Sequence, residues 1–146
     1  MIVFNDGIYG FFGEHRFLSN FWYADVTYDG DTYSSVEHGY QAAKCAHPVD
    51  RIPFLQSTGI TPAQAKRQGK HVKLRDDWEL VKIAIMRDLV FQKFQHEDLR
   101  DRLIATGDKY LEETNTWGDT FWGVCNGKGH NVLGNILMEV RARIQE

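Results

Sequence analysis

The spacing of apolar and polar positions changes near Ser34. Before it the apolar stretches are short and aromatic: Phe11-Phe12-Gly13, then Phe17-Leu18-Ser19-Asn20-Phe21-Trp22, then Tyr23-Ala24-Asp25-Val26-Thr27-Tyr28 and Thr32-Tyr33-Ser34 around Asp29-Gly30-Asp31. β-Favouring residues on both sides of an Asp-Gly step predict a hairpin. After it the period is helical. Ser34 or Ser35 caps a helix predicted to run to about Ala46. Thr61-Pro62 opens a short one ending near Gly69. Asp76 or Asp77 caps the longest, from Trp78 to about Gln95, where Trp78, Val81, Ile85, Leu89 and Phe94 mark a central core helix. His96 to Ala105 reads as another, stopped by Gly107, and the last starts near Asn131 with Leu133, Leu137, Val140 and Ile144 along one side. The predicted class is α+β, a mainly helical single domain over 1–146 with a small N-terminal antiparallel β-hairpin.

Composition fits that picture. At 146 residues, 42% hydrophobic and 25% charged, the chain matches one globular domain. A domain of this size buries about 70% of its unfolded surface and needs no staples. Cys45 and Cys125 match no metal or redox spacing and read as buried thiols. The opening MIVFNDGIYGFF has no basic region or long apolar run, so no signal peptide is expected. No stretch approaches the ~18 apolar residues of a membrane span, and a cytoplasmic protein with no membrane partner is expected. The formal charge of −3 argues against a protein that grips long nucleic acids by their phosphates, but it allows a small anionic substrate held by local cations. The six histidines show no ligand spacing, so neither a metal nor a cofactor is expected.

Four stretches could carry chemistry. In Ser34-Ser35-Val36-Glu37-His38-Gly39-Tyr40-Gln41-Ala42-Ala43-Lys44, residues Glu37, Tyr40, Gln41 and Lys44 recur at i, i+3, i+4 and i+7 and share one helix face. A tuned carboxyl can protonate a departing nitrogen or activate water, and an amine near a ribosyl C1 can trap the opened sugar as an imine. The competing reading makes Glu37 the third residue of a capping box begun by Ser34, with the remainder a solvated stripe. The second stretch runs from Asp119 to Asn131. Its Gly-rich turn before a helix is a ready anion site, Trp122 could stack on a base, and Asp119 could act as base or orient sugar hydroxyls. A plain turn with an Asn131 cap and a core Trp122 competes with it. Third, Ser19-Asn20 sits among aromatics, as hydrogen-bond readers in an apolar pocket or as turn formers. Fourth, the basic run from Lys66 to Arg75 is a place for a phosphate, or simply an exposed loop.

Together these stretches resemble the NADAR, or YbiA-like, family. Phe17-Leu18-Ser19-Asn20-Phe21-Trp22 resembles its N-terminal signature and Val36-Glu37-His38-Gly39-Tyr40-Gln41-Ala42-Ala43-Lys44 its Glu-His helix. Asp119 to Arg141, with Trp122-Gly123, Gly127, Gly129, Asn131 and Leu133-Gly134, resembles its closing motif. The blocks keep their order over nearly the whole chain. The resemblance implies hydrolysis of N-glycosidic bonds. One branch of the family acts on phosphorylated ribosylamino-pyrimidine intermediates of riboflavin synthesis, and another removes ADP-ribose from guanine bases. It also implies catalytic roles for Glu37, Lys44 and Asp119, with Ser19, Asn20, Phe21, Tyr40, Gln41, Trp122, Gly123, Gly127, Gly129 and Asn131 binding substrate. Gly39, where a bulkier residue is expected, and Val124-Cys125-Asn126 depart from the pattern. The expected partner is a small phosphorylated nucleotide-like substrate, with ADP-ribosylated guanine in nucleic acid as the alternative. A binding module for ADP-ribose without turnover, and an interaction protein with an aromatic surface, are the remaining classes.

Overall fold

A computed structural model describes residues 6–146. The first five residues of the segment read against a signal peptide lie outside the described residues. In chain order the elements are β1 (Gly7–Tyr9), a 3₁₀ turn (Gly13–Leu18), β2 (Tyr23–Tyr28), β3 (Asp31–Ser35), α1 (Val36–Ala43), 3₁₀ turns over Pro48–Phe54 and Gln56–Thr58, α2 (Pro62–Gln68), a 3₁₀ turn (Gly69–His71), α3 (Trp78–Lys93), α4 (Glu97–Ala105), β4 (Tyr110–Glu112), β5 (Thr114–Asn115), β6 (Val124–Cys125) and α5 (Val132–Ile144). The class is α+β, as expected. These elements form two compact units, Asn20–His96 and the remainder on either side of it.

In the unit Asn20–His96, β2 and β3 form the expected antiparallel hairpin, with Val26 opposite Tyr33 and Tyr28 opposite Asp31. Its two-residue loop is Asp29-Gly30, both at positive φ (51° and 85°), the backbone twist that suits a tight hairpin. Val26 and Tyr33 are buried, and the hairpin packs against α1. The Tyr33 hydroxyl has no hydrogen-bond partner among the described residues, and burial, with Asp31 adding to it, pushes its pKa up to about 12.

Helix α1 also packs against α2 and α3. The glycine at 39 has a local cause: a β-carbon there would stand 3.2 Å from Leu89 Cδ2 of α3 and 3.4 Å from Val26 Cγ2 of β2. α1 stops before the expected Ala46 because the chain is drawn into bridging with a later strand-like segment. Cys45 bridges Leu74, Ala46 N–H donates to Lys73 O, and Arg75 N–H donates to Lys44 O. α2 begins as expected, with a complete capping box between Thr61 and Gln64. α3 starts after Asp77, yet that carboxylate does not cap it, because it takes the Arg75 guanidinium at 2.6 Å instead. The buried face of α3 carries Trp78, Met86, Leu89 and Val90, with Phe94 buried just past its end, while Val81 and Ile85 are only half-buried.

The other unit is built on two short parallel pairs that the sequence pattern did not announce. β1 runs beside β4, with Ile8 opposite Leu111, and β5 beside β6, with Asn115 opposite Cys125. α5 buries Leu133, Ile136, Leu137 and Val140, and β4 packs against it. Gly134 permits that approach, since a β-carbon would strike the Leu111 carbonyl and the Asn131 amide. α4 ends as expected, with Gly107 in the left-handed region at φ 64°. Among the described residues no helix is long and apolar enough to cross a membrane.

Candidate functional site

In the unit Asn20–His96 the helix α1 carries the candidate residues Glu37, Tyr40 and Gln41, with Lys44 just past its end, and its anchoring explains why polar groups tolerate burial there. Ser35 is the N-cap, accepting from His38 N–H at 3.2 Å. Ser34 plays no such part, so Glu37 is not the third residue of a capping box. Its backbone N–H donates to the Asn20 carbonyl at 3.1 Å, and its side chain turns along the helix. His38 is held at both ring nitrogens: Nε2 lies 2.7 Å from Ile60 O and Nδ1 2.7 Å from Ser35 Oγ. A carbonyl can only accept, so Nε2 carries the proton and Nδ1 accepts from the serine hydroxyl. Burial lowers the His38 pKa, which favours the neutral ring, while the bond to Ile60 acts in the other direction.

On the remaining face, Glu37 is 8% exposed and Gln41 5%. The Gln41 amide nitrogen donates to Glu37 Oε2 at 2.5 Å, one turn along the helix. Lys44, a turn further, is half-buried. Among the described residues its ammonium is in no salt bridge. Burial pulls its pKa below the usual lysine range, and the charge of Glu37 partly offsets that. An ammonium disfavoured in this way is easier to deprotonate to the nucleophilic amine. Tyr40 stacks at a tilt on buried Trp78, ring centroids 5.1 Å apart. Asn20 is half-buried, its side-chain amide 3.5 Å from Met86 Sδ. Phe21 lies 5.9 Å from the Lys66 ammonium. Ser19 ends the Gly13–Leu18 turn and belongs to the other unit.

The basic run divides. Arg75 is spent inside the fold: it donates to both Asp77 oxygens, to Tyr28 Oη and to Ala43 O, and those bonds raise its pKa further. Arg67, Lys70 and Lys73 are exposed. The Cys45 thiol is buried against the Gln41 carbonyl, and burial raises its pKa, which disfavours the reactive thiolate.

In the other unit the closing motif is a hydrogen-bonded knot. Asp119 Oδ1 accepts from the N–H groups of Phe121 and Trp122 at 3.1 and 2.9 Å, fixing the turn on which the half-buried Trp122 sits edge-on to Phe121. Asn115, which no sequence motif marks, braces that turn: its side chain exchanges hydrogen bonds with the Asp119 backbone in both directions. The expectation of an anion cradle at the Gly-rich turn needs correction. The N–H groups of His130, Asn131, Val132 and Leu133 donate to the carbonyls of Thr120, Gly123, Phe121 and Trp122, so the donors at the start of α5 are already committed. Asn131 is the N-cap residue by position, but its side chain does not cap α5. It binds Glu113 N–H and Leu111 O instead. Gly127 serves a tight turn with Asn126, both at positive φ, closed by paired bonds between Cys125 and Lys128. Gly123 and Gly129 allow backbone segments to touch: a β-carbon on the first would strike Glu113 O, and on the second Gly123 O. Val124-Cys125-Asn126 is therefore a strand followed by a turn. Among the described residues no group of three or more His, Cys, Asp or Glu could hold a metal ion.

The NADAR domain model matches residues 10–145, across both units. The chain belongs to the NADAR family. It is 44% identical over 122 residues to N-glycosidase Npun_R5314 of Nostoc punctiforme, covering 79% of this chain and 77% of that protein. It is 36% identical over 147 residues to N-glycosidase YbiA of Escherichia coli, covering 97% and 91%. A riboflavin biosynthesis protein of Vibrio vulnificus is 38% identical over 136 residues, of which this chain spans only 36% of the length. The NMR structure of E. coli YbiA superposes with a TM-score of 0.82 at 35% identity, covering 98% of this chain and 88% of that one.

Proposed function

We propose that this chain is an N-glycosidase that hydrolyses the bond between ribose C1 and a nitrogen of a phosphorylated ribosylamino-pyrimidine. The observation that carries this reading is along α1 and its C-cap: a buried carboxylate and, two turns on, a half-buried lysine held in no salt bridge among the described residues and displaced toward its neutral form. The names of the Nostoc and E. coli relatives support the bond class, and that of the Vibrio relative supports the substrate class.

In this reading Glu37 handles the proton. The C1–N bond breaks with its electron pair leaving on nitrogen, a proton reaches that nitrogen, and water adds its oxygen to C1. Lys44 acts at the sugar. Alternatively to direct attack by water, its neutral amine can add to C1 of the ring-opened substrate and expel the pyrimidine nitrogen with a proton, leaving a lysine imine that water then hydrolyses to free the sugar and restore the amine. Asp119 is proposed to orient the sugar or the water, in addition to fixing its own turn, and Trp122 to stack on the base. The exposed cations Arg67, Lys70 and Lys73 supply charge for the phosphate.

The test is incubation with a phosphorylated ribosylamino-pyrimidine and, separately, with guanine-linked ADP-ribose on an oligonucleotide, followed by mass spectrometry. Release of ribose phosphate from the first is expected. Turnover of the second alone would reassign the substrate, and no product from either would leave a nucleotide-binding module.

A further inference from the structure

Gly69 has no backbone reason to be glycine. It closes α2 in ordinary right-handed helical conformation, φ −60°, where alanine fits better. The reason lies across from it, in α1. A β-carbon on residue 69 would overlap the Gln41 side-chain oxygen and amide carbon. The hydrogen that takes its place therefore points at Gln41 Oε1. That oxygen is buried and accepts no hydrogen bond among the described residues, an arrangement native proteins rarely keep without a use. The same amide's nitrogen donates to Glu37 Oε2. Its orientation is set by its neighbour, because a carboxylate accepts from N–H and repels a carbonyl.

We propose that Gln41 and Gly69 are a positioning pair for Glu37: the glycine admits the amide, and the amide clamps one carboxylate oxygen and so fixes the plane of the acid. Gln41, expected from the resemblance to bind substrate, acts through Glu37 instead. The proposal rests on the reading of Glu37 as the proton-handling group, and it is tested by a readout that needs no substrate.

Carbon-13 NMR titration of the Glu37 carboxyl is carried out on the full chain as wild type, Gln41→Ala, Gly69→Ala and the double variant. Loss of the amide donor removes a bond that favours the ionised form, so the midpoint moves to higher pH in both single variants. With Gln41 truncated the new β-carbon has nothing to strike, so the double variant matches Gln41→Ala. Where a variant fails to fold, Gln41→Asn, too short to reach Glu37, replaces it and shows the same upward move. An unmoved midpoint in Gln41→Ala, or an additive effect of Gly69→Ala in the double variant, overturns the pairing. With a phosphorylated ribosylamino-pyrimidine as substrate, kcat falls at least tenfold in each single variant while KM stays within about twofold. A rise in KM at constant kcat overturns positioning in favour of substrate contact. If Glu37→Gln retains turnover while the titration behaves as described, the clamp stands and the catalytic reading alone fails.

Discussion

Replacing His38 by leucine tests how helix α1 is held. The substitution keeps side-chain volume roughly constant but removes the two ring hydrogen bonds, each 2.7 Å long, to Ile60 O and Ser35 Oγ. Each such bond contributes about 1 kcal/mol net, and a polar partner left unpaired in a buried place costs about 1–3 kcal/mol more. The extra apolar burial returns part of this, so the expected loss is ~2–3 kcal/mol. At ~2–4 °C per kcal/mol for chains of about this length, the melting temperature falls by roughly 5–10 °C. The pH dependence is the sharper observable. The folded pKa of His38 lies below its unfolded value because of burial. The unfolded chain therefore binds the proton first. The contribution of His38 is fully present above about pH 6.5, the unfolded value, and is lost as pH falls toward the folded one. Urea denaturation of both proteins at pH 5, 6, 7 and 8 isolates the effect, since the other five histidines are common to both. The wild type loses more stability between pH 7 and pH 5 than His38→Leu, by at most ~1.4 kcal/mol per pH unit for one proton. Parallel curves would refute the claim that the buried ring is neutral.

Three further outcomes are expected. Thr61→Ala removes the hydroxyl half of the capping box on α2 and costs about 1 kcal/mol, read as a fall in the urea midpoint at unchanged slope. Sodium borohydride added during turnover leaves the sugar on Lys44, found by peptide mass spectrometry and absent in Lys44→Arg; because burial lowers the Lys44 pKa, trapping saturates at a lower pH than for an ordinary lysine. A missing adduct in the wild type removes the imine step. Asp119→Asn keeps the oxygen that accepts from Phe121 and Trp122, so thermal stability is nearly unchanged; a tenfold or larger loss of kcat separates a role for the charge from support of the turn.

Much of this molecule was legible in the sequence where one local rule governs one element. Asp29-Gly30 dictated its hairpin, Thr61-Pro62 its helix start and Gly107 a helix end. The rule failed where a tertiary partner outbid the local one. Asp77 stands at the N-cap of α3, but Arg75 claims its carboxylate. α1 stops at Ala43 because Lys44 to Ala46 pair with the segment around Lys73 to Arg75. The parallel pairs β1–β4 and β5–β6 are three and two residues long, too short for any periodicity to register, and their partners lie far along the chain. At the site, helical spacing brought Glu37 and Gln41 into contact as expected. At the Gly-rich turn Gly123 and Gly129 serve close backbone packing, Gly127 a tight turn, and the N–H groups of residues 130–133 bond nearby carbonyls, uses that a count of glycines cannot separate from an anion cradle. Asn115 left no motif; only its position two residues past Glu113, facing the Asp119 turn, shows its use.

The proposed hydrolysis depends on Glu37 as the proton-handling acid. The most direct measurement compares wild type and Glu37→Gln on a phosphorylated ribosylamino-pyrimidine, with ribose phosphate followed by mass spectrometry and affinity by calorimetry. Affinity within a few-fold and a rate lower by at least ~10²-fold is the expected result. Near-full turnover by the glutamine variant would contradict it.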